Sequence, residues 1–135
     1  MSSIRIPCPK TNTTFGEIIY PGLNVEVLLP NLGFQPFEFI LDSGADCTMV
    51  PRSMAALVGF SLTSTPDIYV TGIARRPMPA YIGRLNMRIQ QETFEVRYLF
   101  MQSDRTPFLL GRVDFFSIFD VSFDGNSCSI VLTRR

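Results

Sequence analysis

The stretch FILDSGADCT, residues 39–48, runs three apolar residues, Phe39, Ile40 and Leu41, straight into the carboxylate of Asp42. Apolar residues at that density read as a strand entering a core. A charge at the end of such a strand is costly to bury unless a partner or a reaction uses it. Ser43 and Gly44 are turn-formers, and a second acid follows at Asp46. The segment therefore predicts a strand that breaks into a turn carrying two carboxylates, and Asp42 is the residue to be explained.

Upstream, residues 24–29 alternate Val25, Val27 and Leu29 with polar partners, the period of a half-buried strand. Residues 30–33 read as a turn and 35–41 as the next strand, a hairpin that delivers Asp42. A shorter strand over 17–20 is stopped by Pro21-Gly22, and residues 1–16 read as an extended N-terminal segment. Downstream, residues 53–58 are compatible with about a turn and a half of helix closed by Gly59. Strands are expected over 68–71 and 81–89, joined across GIARRPMPA, and over 92–101 after a turn at Gln90-Gln91.

A second apolar run ending in glycine, TPFLLG at 106–111, leads into a helix-like segment over 113–119. A final hairpin pairs 121–123 with 128–132 across Asp124-Gly125. Many short strands with one or two short helices give an all-β barrel or sandwich, read as one domain over 1–135.

Composition narrows the function. The 135 residues are 46% hydrophobic and 18% charged, with 12 basic against 12 acidic side chains and a pI near 6.2. Nucleic acid or an anionic membrane would call for a basic surplus, so neither is expected as a partner. No apolar run approaches the roughly 20 residues of a spanning helix, and no secretory signal pattern opens the chain. Three widely spaced cysteines, Cys8, Cys47 and Cys128, form neither a disulfide framework nor a metal pattern. A soluble, cytoplasmic protein is the expectation.

The chain has no histidine. That excludes Ser-His-Asp and Cys-His catalysis and the commonest zinc sites. Neither phosphate-cradling glycine motif is present. No metal or other cofactor is expected, and any proton transfer falls to carboxylates.

Asp42-Ser43-Gly44-Ala45-Asp46 after three apolar residues, with Leu109-Leu110-Gly111-Arg112 later in the chain, closely resembles the two landmarks of the retropepsin family, the retroviral-type aspartic proteases. The interval between them holds a hairpin with Gly72 near its tip, where that family places its flap. The resemblance runs in order over residues 23–132. It implies a closed barrel of the acid-protease type, a homodimer, and hydrolysis of a protein or peptide substrate by an aspartic endopeptidase. Asp42 would be catalytic, within the loop Ser43, Gly44 and Ala45. Asp46 would hold extended substrate and form an ion pair with Arg112, expected to be partly buried. Met49, Pro107 and Leu109 would line apolar pockets, with Gly72, Ile73 and Ala74 closing from above.

The chemistry has its own logic. Hydrolysis by carboxylates needs one ionised Asp to activate water and one protonated Asp to polarise the carbonyl. Two carboxylates about 3 Å apart cannot both ionise, so they share a proton. This chain supplies one such motif, and a two-fold axis would bring two copies of Asp42 together. The rival expectation is a catalytically inactive peptide-binding or dimerisation module of the same fold within a larger protein. Another is a protease domain that waits for a parent protein to dimerise it.

Overall fold

The alternation over 22–41 folds as a hairpin. In this computed structural model, which describes residues 3–61, 65–71 and 76–135, β1 (Ser3–Pro7), β2 (Lys10–Thr13) and β3 (Gly16–Ile19) precede it. The hairpin itself is β4 (Gly22–Leu29) and β5 (Gly33–Leu41), antiparallel from Gly22 opposite Ile40 to Leu29 opposite Gly33. Leu23, Val25, Val27 and Leu29 point into the core, while Asn24 and Leu28 face out. Asn31, at φ 65, turns the connection in the left-handed region that asparagine tolerates.

After the 42–47 loop come β6 (Thr48–Val50) and the helix α1 (Met54–Val58), closed by Gly59 at φ 73. Glycine takes that conformation without steric penalty. Then follow β7 (Ile68–Thr71), β8 (Pro77–Ile89), β9 (Glu92–Met101) and β10 (Leu109–Leu110), and finally β11 (Phe119–Asp124) and β12 (Ser129–Arg134).

Six strands close on themselves in the order β4, β5, β10, β6, β9, β8, with β8 returning to β4 through Glu26 opposite Arg88 and Val27 opposite Met87. This is the all-β closed barrel expected. Closure removes the open edges that an unrolled sheet would expose. β7 hangs on β8 outside the ring, and a separate three-stranded sheet orders β1, β12 and β11. Phe39, Met87, Val96, Phe100, Leu110, Phe115, Phe119 and Leu132 are buried in one continuous core. Phe94, Phe115 and Phe119 meet there with ring centroids 5.2 to 5.8 Å apart, in tilted and edge-on geometries that aromatic pairs favour. No helix among the described residues is long and apolar enough to cross a membrane.

Three expectations need correction. The helix expected over 113–119 is a kinked helical turn, because Val113 is extended (φ −64, ψ 127) and Asp114 has φ 69. Side-chain bonding of Asp114, described below, outweighs the helical spacing of the phenylalanines. β8 starts at Pro77 rather than at 81, because residues 77–79 pair with β7 before the ladder to β9 begins at Ala80, and proline is tolerated where one side of a strand is unpaired. The N-terminal stretch carries a strand, β1, paired along its length with β12. The flap residues Gly72, Ile73 and Ala74 lie outside the described residues.

Candidate active site

Two strand ends meet to make the site. β10 lies parallel to β5, with Leu109 opposite Ile40 and Leu110 opposite Leu41, and antiparallel to β6 through Met49. The 42–47 loop thus leaves β5 and returns in β6 on either side of β10. At the corner the Asp42 amide donates to the Leu110 carbonyl at 3.0 Å, so the backbone of one landmark fixes the first residue of the other. The Gly44 amide then donates to Asp42 Oδ1 at 2.9 Å, and the Ala45 amide to the Asp42 carbonyl at 3.1 Å. The carboxylate is aimed by its own turn. Asp42 is half-buried, and Ser43 and Gly44 are exposed at the tip.

A second layer holds the loop from behind. The Arg112 amide donates to the Ala45 carbonyl at 2.9 Å and the Val113 amide to the Asp46 carbonyl at 2.7 Å. Gly111 sits so close that a Cβ there would meet the Cys47 carbonyl carbon and oxygen at 2.4 Å. Its amide donates to the buried Thr48 hydroxyl at 3.2 Å. Only glycine permits this approach.

Asp114 closes the arrangement. Its carboxylate accepts from the Arg97 amide at 2.7 Å and from Arg97 Nε and Nη2 at 3.0 Å each. Hydrogen bonding to Arg97 holds the Asp114 carboxyl below the usual range, against a smaller opposing effect of burial.

Asp46 and Arg112 meet at 2.7 Å, but both side chains are open to solvent, at 81 and 59% exposure. The expectation of a partly buried pair is therefore corrected. The reason is placement, since both residues stand on the outer lip of the loop crossing. In one subunit such a pair is worth about 0–1 kcal/mol.

Asp42, Gly44, Ala45, Asp46, Met49 and Leu109 line one cleft of about 600 Å³. Pro107 is exposed and does not line it. Sequence reading missed the wall opposite, where β7 contributes Tyr69 and Val70 and β9 contributes Leu99. It missed Arg97 and Asp114 as well. Cys47 lines the same cleft, and burial, with a contribution from Asp46, pushes its thiol up. No group of three or more His, Cys, Asp or Glu among the described residues is arranged to hold a metal ion.

On the far side of the tip, Ser43 borders a hollow of about 150 Å³ with Leu41, Phe116, Val121 and Phe123. Phe123 is half exposed there. Within the described residues of one chain, no second carboxylate is hydrogen-bonded to Asp42.

A family model described as aspartyl protease matches residues 25–113. Among solved structures, a retropepsin-like aspartic protease from Rickettsia conorii superposes with a TM-score of 0.59 at 18% identity, covering 97% of this chain and 89% of that one. The EIAV protease, solved in complex with the inhibitor HBY-793, superposes with a TM-score of 0.54 at 16% identity, covering 69% of this chain and 82% of that one. At these identities the likeness concerns the fold. No curated protein matches the chain in sequence.

Proposed function

The chain belongs to the aspartyl protease family, and from that premise we propose that it is an endopeptidase whose centre is a pair of Asp42 carboxylates, one from each subunit of a homodimer. The observation that carries this reading is the Asp42 carboxylate itself. It is oriented by the Gly44 amide at 2.9 Å, beside an exposed tip, at the edge of a cleft of about 600 Å³. A lone carboxylate so placed lacks its acid partner, and a second copy across a two-fold axis supplies one. The apolar surface around Ser43, formed by Leu41, Phe116, Val121 and Phe123, is what such a copy would cover.

In the dimer one Asp42 is ionised and takes a proton from water, while the other is protonated and donates to the scissile carbonyl oxygen. Gly44 leaves room for substrate backbone, and Asp46 offers hydrogen-bonding groups to an extended peptide. Met49, Val70, Leu99 and Leu109 make the cleft apolar, which favours bulky apolar residues flanking the cleaved bond. Gly72, Ile73 and Ala74 keep their proposed role as a flap, following β7, whose Val70 and Thr71 line the cleft.

The test is cleavage of a mixed peptide library from acidic to neutral pH, comparing wild type with Asp42→Asn. Loss of cleavage in a variant that still sediments as a dimer is expected. A wild-type dimer that cleaves nothing at any pH would instead favour the inactive peptide-binding module.

A further inference from the structure

Cys8 and Cys128 face one another across the end of the β1–β12 ladder. The last paired residues are Pro7 and Ser129, and the two cysteines are the next rung. The Cys8 amide donates to the Cys128 carbonyl at 3.1 Å, and Cys128 Sγ donates to the Cys8 carbonyl at 3.0 Å. Cys8 Sγ lies 3.6 Å from the Cys128 carbonyl oxygen, so both thiols occupy the same gap between the strands. Directly opposed residues of an antiparallel pair have Cα atoms about 4.5–5.5 Å apart. A disulfide needs about 4.4–6.8 Å. Both cysteines are free thiols in this structure.

We propose that Cys8 and Cys128 are a redox modification site, oxidised by a low-molecular-weight disulfide to an intramolecular disulfide that pins β1 to β12. Cys128 is half-buried and Cys8 is buried, so Cys128 is the thiol that meets the oxidant first. Its thiolate attacks one sulfur of the small disulfide, forming a mixed disulfide and releasing one small thiol. Cys8 then loses its proton and attacks the Cys128 sulfur, expelling the second small thiol. Two protein thiols are oxidised and one small disulfide is reduced to two thiols. Burial first, and the neighbouring Cys128 second, push the Cys8 thiol up, which lowers its thiolate fraction, while its place opposite Cys128 makes the second attack intramolecular.

The consequence follows from topology. Among the described residues β1 pairs with β12 alone; Ile4 and Ile6 pack it on the core, and Arg5, at the middle of the strand, donates to Asp124 at 2.8 Å, Ser127 at 2.7 Å and Ser129 at 2.9 Å. A covalent bond at Cys8, just past the C-terminal end of β1, would lock the end of its ladder to β12. It would also close a loop containing almost the whole barrel, which restricts the unfolded chain most. Cys47 lies in the candidate active site, away from the pair, and serves as an internal reference thiol.

The experiment incubates the protein with oxidised glutathione, then counts thiols under denaturing conditions and measures mass and Tm. From three thiols the count falls to one, the mass falls by about 2 Da, and Tm rises by roughly 5–10 °C over the dithiothreitol-treated form. Cys8→Ser instead retains a glutathione adduct on Cys128. Three remaining thiols, or adducts without the loss of about 2 Da, would overturn the site. An intramolecular disulfide with unchanged Tm would overturn the pinning. None of these outcomes depends on proteolytic activity.

Discussion

Arg97 and Asp114, from strand β9 and the turn after Gly111, are joined by three hydrogen bonds of 2.7, 3.0 and 3.0 Å. They hold Asp114 at φ 69, ψ −59, a conformation that is rare and strained outside glycine. That strained turn carries the Arg112 and Val113 amides that bond the Ala45 and Asp46 carbonyls. A contact on the outside of the barrel thus sets the back of the Asp42 loop. Asp114→Ala is expected to lower stability by about 1.5–3 kcal/mol, the range for hydrogen bonds to charged groups. Asp114→Asn, which keeps an acceptor for the Arg97 amide, should cost less than half as much. Urea denaturation of the two variants checks the order, and equal losses would remove the Arg97 bonds as the cause.

The Gly111 contact makes a sharper prediction. A methyl group there would overlap the Cys47 carbonyl at 2.4 Å, and backbone cannot move aside as a side-chain end can. Gly111→Ala is expected to cost more than about 3 kcal/mol, beyond an ordinary overpacking penalty. The denaturant midpoint would fall well below that of wild type, or the variant would fail to fold. A midpoint within error of wild type would mean that the two landmark loops are not in contact.

Why these two loops were legible, and their supports were not, comes down to range. Val25, Val27 and Leu29 announce a strand by local alternation, and Asp42-Ser43-Gly44 and Leu109-Leu110-Gly111-Arg112 are contiguous motifs. Arg97 sits at an outward position of β9, where the pattern calls for any polar residue. Nothing local ties it to Asp114, 17 positions on. β1 is likewise invisible, because its pairing with β12 joins opposite ends of the chain and its sequence, SIRIP, carries no strong signal. Helical spacing over 113–119 misled for the same reason, since the bonds that kink that turn come from another strand. Solvent exposure of Asp46 and Arg112 depends on where the lip of the barrel falls, which spacing alone does not encode.

Thr48 tests the interior of the crossing. It is fully buried, and its hydroxyl accepts the Gly111 amide at 3.2 Å. Thr48→Val keeps the shape and leaves that amide without its partner, an expected cost of about 1–3 kcal/mol. Thermal unfolding of Thr48→Val measures it, and a variant as stable as wild type would show that the hydroxyl does not matter there.

Acid should loosen the terminal sheet. Hydrogen bonding to Arg5, then to Ser127, holds the Asp124 carboxyl down to about 2. The folded-state value lies below the unfolded one near 3.9, so the contribution is fully present above about pH 4. It is lost as pH falls through that interval towards 2. Tm measured from pH 6 to pH 2 should therefore fall more steeply in wild type than in Asp124→Asn at the acid end. Parallel curves would contradict a depressed Asp124.

The central claim is that each active site needs an Asp42 from two subunits. The most direct test co-refolds wild type with increasing proportions of Asp42→Asn and measures peptide cleavage at fixed total protein. If only dimers with two native carboxylates cleave, activity falls as the square of the wild-type fraction, and excess variant suppresses it almost completely. Activity that falls in simple proportion to the wild-type fraction would mean that one chain suffices, and the shared dyad would be wrong.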